Sequence, residues 1–115
     1  MSSAILDFEL ALKAVNGNDN LAKDLLQTLI KQLIDYQVSL RNALQSNDKE
    51  QLQQIIHKLN GAMRYVGAPA LTEKIAPLDG QISTLSDEIL SREIDLVVVK
   101  MKQIIELGSY PGIDN

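Results

Sequence analysis

The chain has 115 residues, no cysteine, a formal net charge of −4 and 45% hydrophobic residues. This length suits one domain with a single core, and the hydrophobic content excludes a disordered chain. The missing cysteines exclude disulfides and thiolate metal sites, the acidic balance argues against a nucleic-acid-binding protein, and no apolar run approaches the roughly 20 residues that span a bilayer.

Five helices are predicted between turn-forming segments, and no segment alternates like a strand. Their spans are about 7–15, 19–45, 48–66, 69–84 and 87–107. The residues suited to begin them are Asp7, then Asn18 or Asp19, then Asn47 or Asp48, then Pro69 in a first turn, and finally Ser86. Gly17 and Gly108 end the first and the fifth helix. Pro77 lies inside the fourth, where we expect a kink or early fraying.

Apolar residues recur every three or four positions and predict which faces are buried. The predicted stripe of the second helix is Leu21, Leu25, Leu29, Leu33, Tyr36, Leu40 and Leu44, and that of the fifth is Leu90, Ile94, Val97, Met101 and Ile104. The fold class is therefore all-α. We expect residues 1–115 to form one up-down-up-down four-helix bundle, with the short first helix covering one end.

His57 is the only histidine of the chain, and it lies in the third helix. On a helical wheel of about 100° per residue, the apolar residues of this helix centre almost opposite His57. The imidazole is therefore expected to point outward. Periodicity alone leaves open a surface histidine without a role.

Gly61 stands one helical turn after His57, beside it on the same face. Glycine inside a helix costs roughly 0.5–1 kcal/mol against alanine. Since this face does not point into the core, the missing side chain is best explained as room for another molecule beside the imidazole. An accessible imidazole in such a patch suits a nucleophile or a docking point.

Other chemistry lacks the residues that it needs. One histidine without cysteine excludes a conventional metal site, and no Gly-rich phosphate loop is present. Glu50 or Glu73 could be imagined as a partner of His57, but nothing in the spacing fixes them together, so both are treated as solvated charges. If His57 does chemistry, another protein must supply the rest of the site.

The segment His57-Lys58-Leu59-Asn60-Gly61, followed by Gly67 and Leu71, resembles the H-x-L-x-G-x(5)-G-x(3)-L signature of histidine-containing phosphotransfer (HPt) domains. Leu78-Asp79 resembles the Leu-Glu pair of that family. The stretches LALKAVNGNDNLAKDLLQTLIKQL and HKLNGAMRYVGAPAL are similar to the domain that ends BarA/GacS-type hybrid sensor kinases. The likeness covers most of residues 5–90.

The resemblance implies a phosphorelay intermediate that acts in the cytoplasm, either by itself or as the cytoplasmic part of a membrane-bound sensor kinase. His57 would accept a phosphoryl group from a receiver-domain aspartate and pass it to a response regulator. The domain itself would bind no cofactor or metal, because the receiver supplies Mg²⁺, a lysine and the aspartate. We expect no independent enzymatic turnover, no contact with nucleic acid or membrane, and a monomer for the isolated domain.

One departure from the family pattern concerns Asn60, because the family commonly has lysine at this position. Lys58 lies about 100° round the helix from His57 and Arg64 about 20° away, so Arg64 is favoured as the replacement cation or as a contact to an acidic receiver surface. Lys58, Asn60, Gly61 and Arg64 are thus expected to support the phosphoryl group or the partner. Gln53 and Gln54 extend the expected docking surface.

Two other hypotheses for the function stay open at this point. A purely structural or adaptor bundle would bind a partner through an apolar patch or groove and would be indifferent to His57. An HPt-like domain could also dock kinases or receivers without being phosphorylated. A small-molecule enzyme is disfavoured because no second catalytic group is visible.

Overall fold

The computed structural model describes residues 3–112, which contain helices and no strand. The helices are α1 (Phe8–Ala14), α2 (Asp19–Gln45), α3 (Lys49–Ala62), α4 (Pro69–Ile75) and α5 (Asp87–Leu107). Two short 3₁₀ helices, Met63–Tyr65 and Ile82–Thr84, follow α3 and precede α5. Residues 1, 2 and 113–115 of the predicted domain lie outside the described range.

Side-chain caps begin four of the helices where the sequence predicts them. The Asp7 carboxylate accepts from the amide of Leu10 at 3.2 Å, and the Ser86 hydroxyl accepts from Ile89 at 3.2 Å. For the two helices with alternative caps, the structure selects Asn18 and Asp48. Each cap satisfies a backbone N–H that has no partner inside the helix.

Helices α2, α3, α4 and α5 close into a bundle. Helix α2 packs against α3 and α5, and α4 packs against the same two helices from the opposite side. The longest dimension of the fold is 42 Å, close to the roughly 40 Å expected for a helix of the length of α2. The predicted all-α bundle is confirmed. None of the helices within residues 3–112 is both long and apolar enough to cross a membrane.

The core is aliphatic and follows most of the predicted stripes. All five predicted residues of α5 are buried. In α2 the prediction is wrong at Leu21, which is 42% exposed, while Ala22 and Leu26 are buried instead. Ala22, Leu26, Leu29 and Leu33 are buried at helical spacing, so the face of α2 that meets the core begins at Ala22 rather than at Leu21.

The predicted fourth helix, 69–84, is wrong in its second half. Helix α4 ends at Ile75, and a turn that contains Pro77 and Gly80 leads to the second 3₁₀ helix. Proline lacks the amide hydrogen that would continue the helix, and its ring clashes with the carbonyl one turn earlier. Gly80 adopts φ = +81°, a left-handed conformation that favours glycine. The third helix likewise ends at Ala62 rather than at residue 66 and continues as a 3₁₀ turn.

The N-terminal segment covers one end of the bundle, as predicted. Helix α1 packs against α2 and against the 3₁₀ turn Met63–Tyr65. The amide of Asp7 donates to the carbonyl of Gly67 at 2.7 Å, and the amide of Ala70 donates to the carbonyl of Ala4 at 3.1 Å. These bonds tie the start of the chain to the connection between α3 and α4.

Candidate functional site

His57 lies in the middle of α3 on the face that points away from the core. Its neighbours Ile56 and Leu59 are fully buried, whereas 76% of the His57 side chain is exposed. The predicted outward orientation of the imidazole is therefore confirmed.

The exposed imidazole has a fixed partner in Asp79. Nδ1 of His57 lies 3.1 Å from Oδ2 and 3.2 Å from Oδ1 of Asp79. The Asp79 side chain is only 19% exposed, because the turn after α4 places it against α3. One ring nitrogen is thus engaged, while most of the ring surface remains open to solvent.

Two amide side chains of α3 hold the Asp79 carboxylate from either side. Nε2 of Gln53 donates to Oδ1 at 3.0 Å, and Nδ2 of Asn60 donates to Oδ2 at 2.9 Å. The hydrogen bond from Asn60, with smaller contributions from His57 and Gln53, lowers the pKa of the Asp79 carboxyl although partial burial acts in the opposite direction. The carboxylate is therefore ionised at neutral pH.

This arrangement determines which ring nitrogen can react. An ionised carboxylate only accepts hydrogen bonds, so Nδ1 of His57 must carry the proton and donate it to Asp79. In the neutral imidazole the lone pair then resides on Nε2, on the exposed side of the ring. The site presents a nucleophilic nitrogen in one tautomer and orientation.

The other predicted site residues share the exposed surface around His57 but not its hydrogen bonds. A Cβ built on Gly61 would have no heavy atom within 4 Å, so there is open space beside the imidazole. Gln54, Lys58 and Arg64 are exposed, and within residues 3–112 neither cation forms an ion pair. Arg64 lies in the 3₁₀ turn beyond the end of α3. The supporting roles predicted for these residues stay predictions.

Neither glutamate considered as a partner of His57 contacts it. Glu50 is exposed, and Glu73 accepts a hydrogen bond from the Ser3 hydroxyl on the other side of the α3–α4 connection. Across the described part of the chain, no group of three histidine, cysteine, aspartate or glutamate side chains could hold a metal ion. The chemistry of this surface thus centres on the imidazole and the carboxylate that orients it.

A shallow groove runs between α2 and α3 next to Gly61. Its volume is about 200 Å³, and it is lined by Leu25, Thr28, Leu29, Gln32, Ala62, Tyr65 and Val66. Tyr65 is 52% exposed. The groove offers an apolar surface between α2 and the end of α3.

Asp79 was not predicted as a partner of His57. The two residues are 22 positions apart in sequence, and their contact depends on where α4 ends and how the following turn bends. The signal available in the sequence was the Leu78-Asp79 pair of the family signature. Leu78 is 4% exposed and anchors the turn in the core, which leaves the adjacent carboxylate facing α3.

Comparison with known proteins assigns the chain to a family. The family model described as the Hpt domain matches residues 24–102, which is more than half of the chain. The chain belongs to the Hpt domain family. His57, Gln53, Asn60 and Asp79 all lie within the matched region of the Hpt domain.

Similar proteins include hybrid kinases and one solved Hpt structure. The chain is 32% identical over 108 residues to the signal transduction histidine-protein kinase BarA of Escherichia coli (strain K12), covering 93% of this chain and 12% of that protein. It is 30% identical over 101 residues to the sensor protein GacS of Pseudomonas syringae pv. syringae, covering 85% of this chain and 11% of that protein. The crystal structure of the HPT domain from an Hpt sensor hybrid histidine kinase of Shewanella superposes with a TM-score of 0.84 at 26% identity, covering 90% of both chains. This Hpt domain thus spans about one-eighth of the length of the kinases that it matches.

Proposed function

We propose that this Hpt domain is a phosphorelay intermediate in which His57 accepts and donates the phosphoryl group. The observation that carries the proposal is the exposed imidazole whose Nδ1 is held by Asp79 at 3.1 Å, which leaves Nε2 free to attack phosphorus. Membership of the Hpt family supports the same role. A purely structural adaptor bundle is not favoured, since it would have no use for a tautomer fixed in this way.

The transfer step requires no proton movement at the attacking nitrogen. The Nε2 lone pair forms a bond to phosphorus as the bond between phosphorus and the receiver's aspartate oxygen breaks, and the electron pair leaves with that carboxylate. The imidazole then carries a positive charge, because Nδ1 keeps its proton. The Asp79 carboxylate lies where it stabilises this charge. The reverse step returns the ring to its neutral form when a second receiver aspartate takes the phosphoryl group.

The remaining catalytic groups belong to the partner. In-line transfer needs charge stabilisation on the equatorial phosphoryl oxygens, and the family resemblance assigns this to Mg²⁺ and a lysine of the receiver domain. His57 contributes a positioned nucleophile. Lys58 and Arg64, which make no ion pair among the described residues, are available to contact the phosphoryl group or acidic receiver side chains. The domain would have no independent turnover.

The docking surface would surround His57 on α3 and extend over the groove toward α2. The open space at Gly61 lets a partner backbone or side chain approach the imidazole. Exposed polar residues such as Gln54 border His57, and exposed Tyr65 offers an aromatic contact in the groove. The partners would be the receiver domain of a hybrid sensor kinase and a response regulator. We expect the domain to act in the cytoplasm as a monomer, with no contact to nucleic acid or membrane.

Phosphoryl uptake from a phosphorylated receiver domain tests this function. We expect wild-type protein to acquire phosphate that is labile in acid and stable in alkali, as a phosphoramidate is. His57→Gln, which preserves a polar side chain at an exposed position, should take up none. Equal uptake by the wild-type protein and the variant would contradict the proposal.

A further inference from the structure

The Gln53 side chain connects the carboxylate of Asp79 to the backbone of the turn that carries it, and it takes no direct part in phosphoryl transfer. It stands one helical turn before His57 on α3 and is half-buried. Its Nε2 donates to Oδ1 of Asp79 at 3.0 Å, and its Oε1 accepts from the backbone amide of Gly80 at 3.2 Å. No other side chain of the described residues binds both the carboxylate of Asp79 and the backbone of the turn that carries it.

We propose that Gln53 is a positioning residue for phosphotransfer, which holds the Asp79 carboxylate toward Nδ1 of His57. This inference rests on the proposed function of His57. It gives Gln53 a role different from the docking contact that the sequence predicts.

The need for such a bridge follows from where Asp79 lies. The residue belongs to a turn rather than to a helix, and the amide of Asp79 bonds locally to the carbonyl of Ile75 at 3.2 Å. The buried Leu78 side chain fixes the depth of the turn, but it does not fix the rotation of the neighbouring carboxylate. The amide of Gln53 reaches the backbone and the carboxylate together, so it fixes both against α3.

The symmetry of the carboxylate contacts supports this role. Gln53 occupies Oδ1 and Asn60 occupies Oδ2, and His57 Nδ1 lies at nearly equal distances of 3.2 and 3.1 Å from the two oxygens. Without Gln53, the Oδ1 atom loses its amide donor and keeps only the contact with His57, so the carboxylate is free to turn toward solvent or Asn60. The proton of the neutral imidazole then distributes between both ring nitrogens, and a ring protonated on Nε2 has no lone pair there to attack phosphorus.

Gln53→Met tests the inference, because methionine has a similar length and lacks the amide. Gln51→Met is the matched control, since Gln51 is an exposed residue of α3 outside the expected docking surface. The side chains that bind the Asp79 carboxylate are Gln53, His57 and Asn60. The first readout is the ¹⁵N NMR spectrum of the His57 ring at alkaline pH, where imidazole is neutral. The second is the rate of phosphoryl uptake as a function of the concentration of phosphorylated receiver.

We expect Gln53→Met to lower the population of the tautomer with the proton on Nδ1 and to reduce the maximal transfer rate about tenfold. The receiver concentration for half-maximal rate should stay the same, and Gln51→Met should leave the tautomer and the maximal rate unchanged. An unchanged tautomer and maximal rate in Gln53→Met would overturn the inference. A change confined to the half-maximal concentration would also overturn it, because that result identifies a docking residue.

Gln53→Ala provides a second variant that favours the helix and leaves the carboxylate equally free. It should change the same two quantities in the same direction, and an unchanged tautomer in this folded variant would contradict the inference. The tautomer is measured without any phosphorylation. Failure of the positioning role is therefore distinguishable from failure of His57 as the phosphoacceptor, which the uptake assay on His57→Gln reports.

Discussion

At the scale of single residues, the proposed role of His57 as phosphoacceptor makes two opposing demands on its side chain. A nucleophile for a protein partner must be exposed, yet an exposed side chain ordinarily samples several rotamers and, for histidine, two tautomers. The structure separates the demands between the two ring nitrogens. Nδ1 is fixed by a carboxylate that is only 19% exposed, while the rest of the 76% exposed side chain remains accessible.

Removal of the Asp79 carboxylate should slow phosphotransfer without blocking it. In Asp79→Ala, His57 keeps its nitrogen nucleophile but loses both tautomer control and stabilisation of the charged ring. We expect the initial rate of phosphoryl uptake to fall by about tenfold to a hundredfold. Asp95→Ala, an exposed carboxylate on α5, is the control in the same assay. A rate for Asp79→Ala equal to that of the control would rule out a role for Asp79.

Asn60→Ala should raise the pKa of Asp79, because the hydrogen bond from Asn60 is the largest cause of its lowered value. Since the pKa of Asp79 is lower in the folded state, its ionisation contributes stability that is present above about pH 4 and is lost as pH falls through the lowered pKa. The unfolding free energies of wild type and Asn60→Ala should therefore differ most above about pH 4 and converge as pH falls from there through the lowered pKa of Asp79.

A pH titration of the Asp79 carboxyl carbon by NMR measures this change directly. Gln54→Ala serves as the control for a change of an amide side chain on α3 that does not touch the carboxylate. A midpoint for Asp79 in Asn60→Ala that equals the wild-type midpoint would show that the contact does not govern the titration.

The sequence predicted the exposed half of the site better than the buried half. The orientation of His57 follows from helical periodicity, and the room beside Gly61 follows from a missing side chain, so both are local properties of α3. The pairing with Asp79 is a tertiary contact that depends on a turn. Asn60 illustrates the difference. It stands where the family commonly has lysine, and its side-chain amide donates a hydrogen bond to Asp79.

At the scale of elements, the two glycines of the family signature, Gly61 and Gly67, are present for different physical reasons. A Cβ on Gly67 would lie 1.9 Å from the carbonyl oxygen of Asp7 and 2.9 Å from the amide of Ala11. Gly67 therefore permits the N-terminal segment to contact the α3–α4 connection. Gly61 faces open space, where a Cβ meets nothing within 4 Å.

Alanine at these two glycines should give opposite results. Gly67→Ala forces backbone atoms apart and should lower the unfolding free energy by about 1–3 kcal/mol. Gly61→Ala should raise it by about 0.5–1 kcal/mol, because alanine favours the helix interior, yet it should slow transfer from a receiver if the open space accommodates the partner. Urea denaturation and the uptake assay measure the two quantities. A Gly61→Ala variant with unimpaired transfer would contradict the proposed clearance.

The predicted helix boundaries are correct where a capping residue or a left-handed glycine marks the end of the helix. Helices α2 and α5 have the predicted spans because Asn18, Ser86 and Gly108 define their ends through side-chain caps and a left-handed residue. The prediction of the fourth helix was wrong because the apolar periodicity continues past Pro77, whereas helix α4 ends before it. Leu71, Ile75, Leu78 and Ile82 are all buried, so the turn preserves the apolar spacing that suggested a single helix.

At the scale of the whole molecule, the two ends of the described chain meet at one end of the bundle. The rings of Phe8 and Tyr110 lie 5.1 Å apart between centroids, and Tyr110 is 2% exposed. Nε2 of Gln27 donates to the carbonyl of Gly108 at 2.7 Å. The segment after α5 thereby packs over α1 and forms part of the core.

Tyr110→Ala should unpack this end and lower the unfolding free energy by about 3 kcal/mol, comparable to other large aromatic truncations in cores. Tyr110→Phe is the matched control, which keeps the ring contact with Phe8 and should remain close to wild type. Urea denaturation followed by circular dichroism compares the three proteins. Equal stability of the alanine and phenylalanine variants would show that the ring does not contribute to the core.

The position of the phosphoryl group on the ring of His57 is the most direct test of the account. The domain is phosphorylated by a phosphorylated receiver, and the phosphorus–nitrogen linkage is assigned by ³¹P and ¹⁵N NMR on histidine-labelled protein. We predict a single phosphoramidate on Nε2 of His57, with the proton retained on Nδ1 beside Asp79. Phosphate on Nδ1, or on any other residue, would contradict the account.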